Sequence, residues 1–335
     1  MEGGPVADVR SAPRPVDIEI SIVDHENRDM VRTCLGSLPG ACRGLSWRTT
    51  VIDNVSRDGS LDMLAADFPD VAVIANPIRL GFGANHNQVV RRLVADRSAR
   101  YVLVLNDDTE LEADAVTRMV RAADRRADLG AVVPTVVDGE GRPAATRLAY
   151  PSARSWLRTD RFDVTEPPDP ENGWLQGSCL LLRVEALREV GGFDERFFLF
   201  YEDVDLSARL VQAGWALGTC PEASVVHHGH ATVLRPGIAH LTPRQGLRSR
   251  YLYFCKHVGP RRAALLSAAG RSVMLGRAAK AALAGARTHR LDDRDRAQRL
   301  LGLARFDPRR PLAQEVEASA ASADGRSSEA HEGAW

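Results

Sequence analysis

Along the first two thirds of the chain, short apolar runs alternate with stretches where apolar residues recur every three or four positions. The runs at 18–23, 49–52, 71–75, 101–105 and 131–137 predict strands, and the periodic stretches at 30–38, 84–96 and 113–126 predict helices. Another helix is expected after Asp58-Gly59, with Ser60 as its N-cap. Strands alternating with helices predict an α/β fold with a mostly parallel central sheet flanked by helices. Further on, a Pro- and Asp-rich loop at 151–173 precedes a strand at 178–183, helices at 184–190 and 206–213, and a short strand at 223–226. Beyond Pro236 the pattern turns helical, Ala-rich and basic. The expected division is an α/β domain over 16–235 and a C-terminal helical appendage over 236–306, with disordered ends at 1–15 and 307–335.

An apolar content of 44% is ample for a core, and a net charge of zero gives no bulk attraction to any partner. The charge is uneven, however. Over 244–310, Lys and Arg outnumber Asp and Glu about four to one. Together with Tyr251-Leu252-Tyr253-Phe254, this suits a helix lying on an anionic bilayer. The plainer alternative is a packed appendage with a solvated basic face. Cys34, Cys42, Cys179, Cys220 and Cys255 are odd in number and lack metal-ligand spacing, as expected of reduced, mostly buried thiols. There is no apolar leader at the N-terminus and no run of about 18 uncharged apolar residues. The expected location is the cytoplasm, with peripheral contact to the inner face of the cell membrane.

Chemistry enters where the fourth strand stops. Tyr101-Val102-Leu103-Val104-Leu105 runs directly into Asn106-Asp107-Asp108-Thr109. Open α/β sheets bind ligands beyond the carboxyl ends of their strands. Adjacent carboxylates there repel unless a cation or donors compensate. Mg²⁺ or Mn²⁺, held by one or two carboxylates and a substrate's phosphates, would do so. Capping of the next helix is the plainer reading, and Thr109 or Asp114 would serve equally well. A second acidic patch, Glu202-Asp203-Val204-Asp205, follows the aromatic stretch 193–201 at the start of a predicted helix. Capping explains it too. Even so, acids beside Phe197, Phe198, Phe200 and Tyr201 predict a desolvated carboxylate with a raised pKa, a stronger base, and Arg209 lies in helical reach of Asp205.

Three further groups invite both a functional and a plain reading. Asp53-Asn54 closes the second strand, where a carboxylate accepts from a nucleobase imide or a ribose hydroxyl, or merely satisfies the turn. Gly81-Phe82-Gly83-Ala84-Asn85 allows close backbone approach ahead of a helix N-terminus that favours phosphate, and ordinary turn chemistry uses the same glycines. His227, His228 and His230 end a strand and are candidates for a metal ligand or a diphosphate donor. Zinc is not expected at their spacing.

Six segments, in order, resemble family 2 glycosyltransferases. They are Val51-Ile52-Asp53-Asn54-Val55-Ser56-Arg57-Asp58-Gly59-Ser60, Leu80-Gly81-Phe82-Gly83-Ala84-Asn85-His86-Asn87, Leu105-Asn106-Asp107-Asp108-Thr109, Gly173-Trp174-Leu175-Gln176-Gly177-Ser178, Gly191-Gly192-Phe193-Asp194-Glu195 and Phe198-Leu199-Phe200-Tyr201-Glu202-Asp203-Val204-Asp205-Leu206. Within that family they are most similar to its bacterial rhamnosyltransferase-like branch, over residues 18–260. The resemblance implies a GT-A fold, a nucleotide-sugar donor and inversion at the anomeric carbon. It places Asp53 and Asn54 on the donor's base or ribose, and Gly81 and Asn85 in the donor pocket. Asn106 and Asp108 match the ends of an Asp-x-Asp motif, with Asp107 its variable middle. Asp108 is then the direct metal ligand and His227 its partner, with His228 as the alternative; the implied cofactor is Mg²⁺ or Mn²⁺. Asp203 falls on the base position with Glu202 as its rival, and Trp174, Gln176 and Asp205 fall on the acceptor side.

The same resemblance implies a hexosyltransferase of cell-wall or polysaccharide biosynthesis. Its donor would be deoxythymidine diphosphate rhamnose and its acceptor a lipid-linked or cell-envelope glycan; an interfacial basic helix would match an acceptor carried on a polyprenyl diphosphate. The Gln-x-x-Arg-Trp signature of processive synthases is missing, so transfer of a single sugar is expected. Two positions depart from the family. Asp24-His25-Glu26-Asn27 stands where a polar-aromatic-Asn run is usual, and Asn106 replaces an aspartate. The rival readings are a nucleotidyltransferase, which would want a Gly-rich Arg/Lys signature where Asp24-His25-Glu26 is acidic, and a non-catalytic nucleotide-sugar-binding protein. Nucleic acid is not an expected partner, because both acidic patches repel phosphate unless a metal intervenes.

Overall fold

The apolar runs form one mixed sheet. A computed structural model describes residues 15–158, 172–229, 242–288 and 291–312. Its first part runs β1 (Val16–Asp24), α1 (Arg28–Ala41), β2 (Trp47–Asp53), α2 (Ser60–Asp67), β3 (Ala72–Ala75), α3 (Phe82–Asp96) and β4 (Ala99–Asn106). Then follow β5 (Thr109–Leu111), α4 (Ala115–Arg125), β6 (Leu129–Val137), β7 (Pro143–Ala144), β8 (Arg147–Leu148), α5 (Ala153–Arg158), β9 (Trp174–Leu175), β10 (Cys179–Arg183), α6 (Val184–Val190), α7 (Glu202–Gln212) and β11 (Ala216–His227). The helical appendage is α8 (Thr242–His257), α9 (Pro260–Thr288) and α10 (Leu291–Arg305).

The main sheet has the order β3-β2-β1-β4-β10-β6-β11-β5, with β7 on β6. From β3 to β4 it is parallel, as expected. Beyond β4 it is mixed. β10 enters antiparallel between β4 and β6, and β5 runs antiparallel to β11. An apolar run reads the same in either direction, so the pattern alone could not reveal this reversal.

Both faces of β4 are covered, which is why its run is continuous. Leu103 and Leu105, with Ile18, Ile20 and Ile22, pack on α1 and α4 through Val31, Leu35, Val116 and Met119. Val102 and Val104 face the other layer, where α3, α6 and α7 contribute Val89, Leu93, Leu187 and Leu206. Fully burying each such side chain contributes roughly 1.5–3 kcal/mol. The strand is therefore a rigid mount for whatever follows Leu105.

Several local expectations are corrected. Ser60 is the first residue of α2, not its cap; Gly59 takes the cap position at φ +85°, and Asp58 Oδ1 accepts from the Ser60 amide at 3.1 Å. The strand expected at 223–226 is the end of the longer β11. The loop at 151–173 contains α5, and its residues 159–171 lie outside the described ones. Of the two ends, 1–14 and 313–335 lie outside as well, whereas the Pro308 carbonyl accepts from the Arg248 guanidinium at 3.0 Å. Cys34, Cys42, Cys179 and Cys220 are free and buried, and Cys255 is partly exposed.

The aromatics of α8 are not available to a bilayer. Tyr251, Tyr253 and Phe254 are buried in a third cluster with Trp156, Phe197, Tyr201 and Val204. They join the appendage to the α/β domain, as the packing alternative anticipates. Exposed leucines lie instead on α9, where Leu265 and Leu283 are 71% and 63% exposed. No helix among the described residues is long and apolar enough to cross a membrane.

Candidate active site

A cleft of about 590 Å³ opens at the carboxyl edge of the sheet. Both acidic patches line it, with Asn106, Asp107 and Asp108 from one side and Glu202 and Asp203 from the other. The antiparallel strand β10 links them. Its pairing of Cys179 with Leu105 puts the residues just before it beside the end of β4, and the Asn106 amide donates to the Ser178 carbonyl at 2.9 Å. One residue earlier, the Gly177 amide donates to Asp203 Oδ2 at 3.1 Å.

Asp107 and Asp108 do not cap a helix. The chain turns at once into β5, and α4 begins only at Ala115. β5 pairs with the end of β11 in the register Thr109↔His227, which carries His227 to the acids. His227 Nε2 lies 3.1 Å from Asp108 Oδ1 and 3.2 Å from Asn106 Nδ2. The adjoining His228 amide donates to the Asp108 carbonyl at 3.0 Å, while its ring lies 3.7 Å from Glu110. His230 lies outside the described residues. Asp107 is buried and accepts from Asn27 Nδ2 at 2.9 Å. Burial first, then the neighbouring charge of Asp108, hold its pKa well above the usual carboxylate range.

Asp108 Oδ1 is buried and has no hydrogen-bond partner. If Asn106 donates its amide to His227 Nε2, that nitrogen cannot donate to Asp108, and two lone pairs then face each other at 3.1 Å. That donor set, one carboxylate oxygen and one imidazole nitrogen aimed at a common point, fits a cation whose other positions are filled by phosphate and water. No group of three or more His, Cys, Asp or Glu side chains at metal-ligand spacing occurs among the described residues. The described residues therefore supply an incomplete shell.

On the opposite wall, α7 starts at Glu202, after Tyr201 in the cap position. Asp203 accepts from the Gly177 amide and, through Oδ1 at 2.8 Å, from the Val204 amide. Burial pushes Asp203 up to about 6 against these hydrogen bonds. Glu202 is buried with Oε2 unpartnered, and burial first, then Asp203, hold it well above the usual range. The pair therefore splits, with Glu202 held well above the usual range and Asp203 a carboxylate that ionises below neutrality, the condition of a general base.

The other predicted residues divide. Asn54, Asn85 and Gln176 line the cleft. The Asn54 and Asn85 amides also brace the Leu80 turn, accepting from the Leu80 amide and donating to its carbonyl. Asp53 is buried and outside the lining, its carboxylate accepting from the Ser56 amide at 3.2 Å, which is the turn-satisfying role. Gly81 is outside too. A Cβ there would meet the Phe198 carbonyl oxygen at 2.5 Å, so the glycine admits the 193–201 loop rather than a ligand. The first amide of α3, that of Phe82, already donates to the same carbonyl at 2.8 Å. Trp174 donates its indole N–H to the Ala149 carbonyl, away from the cleft.

Asp205 is also turned away from the cleft. It is fully buried and held by Arg209, Lys256 and His257 at 2.7–2.8 Å. Burial alone would raise its pKa, but the His257 hydrogen bond, the Arg209 charge and the Lys256 hydrogen bond outweigh it and hold the group below its ordinary value.

Sequence reasoning missed His25, Arg79, Phe198 and Phe200 as lining residues. Each adjoins or lies inside a segment already singled out, which was the available signal. Asp138 and Ala144, from the β6–β7 hairpin, had none.

The sequence model described as "Glycosyl transferase family 2" matches residues 20–191, half of the chain. An N-acetylglucosaminyl-diphospho-decaprenol L-rhamnosyltransferase of Mycobacterium tuberculosis is 32% identical over 242 residues, covering 64% of this chain and 76% of that protein. Among solved structures, the mannosyltransferase PcManGT of Pyrobaculum calidifontis, in complex with GDP-Man and Mn²⁺, superposes with a TM-score of 0.51 at 15% identity over 94% of this chain and 87% of that one. GalNAc-T7 with UDP, GalNAc and Mn²⁺ gives 0.51 at 15% identity over 73% of this chain, which spans about half (51%) of it. At such identity these two speak for the fold. The family match, with the ordered motifs meeting at one sheet edge, makes the chain a member of glycosyl transferase family 2, a nucleotide-sugar-dependent glycosyltransferase.

Proposed function

We propose that this enzyme transfers one rhamnose, with inversion, from deoxythymidine diphosphate rhamnose to a hydroxyl of a glycan carried on a polyprenyl diphosphate. The observation that carries the chemistry is the shared cleft, with the Asp108–His227 pair on one wall and Asp203 on the other. The choice of sugar and acceptor is supported by the motif resemblance and by the mycobacterial relative, an N-acetylglucosaminyl-diphospho-decaprenol L-rhamnosyltransferase.

Asp203 accepts the proton of the acceptor hydroxyl as its oxygen forms the bond to the anomeric carbon. The bond from that carbon to the diphosphate breaks on the opposite face, and its electron pair leaves with the nucleotide. A carboxylate with a pKa near 6 is ionised at neutral pH and still basic enough to take this proton. Asp108 and His227 would hold Mg²⁺ or Mn²⁺, which when bound neutralises negative charge on a leaving diphosphate. Asn106 orients His227, and Gly177 orients Asp203. Asn54 and Asn85 keep the donor-side turn in place through Leu80.

The enzyme would act in the cytoplasm at the inner face of the membrane. With the α8 aromatics buried, the surface that supports this reading is α9, whose 29 residues include no acid and which exposes Leu265, Leu275 and Leu283 among Arg261, Arg262 and Lys280.

The test is a panel of nucleotide sugars offered to the full chain with Mn²⁺ or Mg²⁺ and a polyprenyl-diphosphate N-acetylglucosamine acceptor. Selective turnover of deoxythymidine diphosphate rhamnose, with the product anomer inverted by NMR, is the expected result. Turnover of another donor, or retention, overturns that part of the assignment.

A further inference from the structure

Residues 197–205, which carry Asp203, are held from outside. Phe200 and Tyr201 both have φ of +69°, in the left-handed region. For bulky L residues that conformation costs roughly 1–2 kcal/mol each, and it persists only where surrounding contacts over-determine it. Both residues immediately precede Glu202 and Asp203.

Four residues of α8 touch this segment or its end. Ser249, fully buried, donates its hydroxyl to the Leu199 carbonyl at 2.7 Å. The Tyr253 ring lies 5.6 Å from that of Tyr201. In the last turn of α8, Lys256 and His257 close on Asp205 at 2.7 and 2.8 Å. The contacts thus fall on residues 199, 201 and 205, on both sides of Asp203. No described residue of α8 lines the cleft, and its contacts on 199, 201 and 205 are its route to Asp203. The family match ends at residue 191, before both the loop and the helix.

We infer that α8 is a clamp for the catalytic loop: Ser249 and Tyr253 are positioning residues that hold the 199–201 backbone, strained at Phe200 and Tyr201, so that Asp203 faces the acceptor. The inference rests on Asp203 acting as the base. On this account the helical appendage completes the active site, and an enzyme truncated before α8 would keep its sheet and lose its turnover.

The test uses the full chain with Ser249→Ala, Ser249→Thr and Tyr253→Leu. Misplacement of a catalytic group by about 1 Å can cost about 10²-fold. Ser249→Ala and Tyr253→Leu are expected to lower kcat by about 10- to 100-fold, with the donor KM within about twofold. Ser249→Thr keeps the hydroxyl and should restore kcat to within about threefold of wild type. Hydrogen exchange, measured without any sugar, should speed up in 197–205 and stay unchanged in β4. Wild-type exchange in 197–205 for both Ser249→Ala and Tyr253→Leu overturns the clamp, as does loss of protection spread equally over β4. Faster exchange in 197–205 together with a fully active Asp203→Asn enzyme would leave a clamp on the loop but remove the base it is meant to place, and so would overturn the inference through the reading it rests on.

Discussion

Asp108 Oδ1 lies 3.1 Å from His227 Nε2, and that carboxylate oxygen has no hydrogen-bond donor. The arrangement follows from the β5–β11 register, which sets His227 opposite Thr109, one residue from the acid. With the Asn106 amide donating to His227, the two facing atoms are both acceptors, and a cation or a proton between them makes the pair stable. Asp108→Asn removes one charge while keeping the shape. It is expected to lower turnover by about 10²-fold or more, in line with the loss of one stabilising group in a charged transition state. EDTA should abolish wild-type activity and added Mn²⁺ should restore it. Calorimetric titration of Mn²⁺ in the presence of the nucleoside diphosphate checks the ligand role directly, and a wild-type isotherm for Asp108→Asn would exclude it.

Asp203 and Glu202 compete for the role of base, and their surroundings separate them. Asp203 accepts two backbone amides in the cleft wall, whereas Glu202 leaves an oxygen buried without a partner. Asp203→Asn is expected to lower kcat by about 10²–10⁴-fold, the usual range for a lost general base. Donor affinity should change by less than about threefold, because the donor side of the cleft is untouched. Glu202→Gln, which keeps the shape of the side chain without its ionisable group, should cost less than about tenfold. Steady-state kinetics with both variants decide between the two carboxylates.

The raised pKa of Asp203 sets a pH dependence for rate and for stability, in opposite directions. With Asp203 as the proposed base, kcat/KM should climb through pH 6 and level off above neutrality. In the unfolded chain the same group ionises near its ordinary value of about 3.8. Between those two values the folded state holds more protons than the unfolded state, so the contribution of Asp203 to stability falls as pH rises through that window. Asp203→Asn removes the ionisable group. Its Tm at pH 7 should therefore exceed that of wild type by up to a few degrees, and the difference should vanish near pH 4. Calorimetric scans at the two pH values test this, and an Asp203→Asn protein less stable than wild type at pH 7 would contradict it.

Much of this fold is legible in the sequence because its strands and helices carry different periods, and β4 is the clearest case. Its apolar run is unbroken because helices cover both faces, and it stops where the chain reaches the cleft. The two acidic patches were legible for the same reason: carboxylates next to apolar or aromatic runs must lie at an edge. What was not legible depends on direction and on long-range register. No local pattern shows that β10 runs antiparallel, yet that reversal sets Gly177 against Asp203. Asp205 reads as a third acid of the site, but it is committed to Lys256 and His257 from an element some fifty residues away. Trp174 and Asp53 likewise spend their polar atoms on nearby backbone.

The glycines show how one residue type can serve a purpose other than the expected one. Gly81 has φ of −72°, so its backbone would accept an alanine; what fails is space. The added Cβ would sit 2.5 Å from the Phe198 carbonyl oxygen and 2.7 Å from the Phe198 Cα, both main-chain atoms that cannot rotate aside. The loop would have to retreat, breaking the 2.8 Å hydrogen bond from the Phe82 amide and moving the segment that ends in Asp203. Overpacking of this kind costs roughly 1–3 kcal/mol. Gly81→Ala is therefore expected to lower both Tm and kcat. Gly36, inside α1, makes the contrast, since nothing lies within 4 Å of its added Cβ. Gly36→Ala should stabilise the protein by roughly 0.5–1 kcal/mol, by restricting the unfolded chain, without changing turnover. Denaturant melts and kcat for the two variants side by side separate a glycine that admits a loop from one that merely tolerates a helix. Unchanged stability and turnover in Gly81→Ala would mean that the aromatic loop is not pressed against the start of α3.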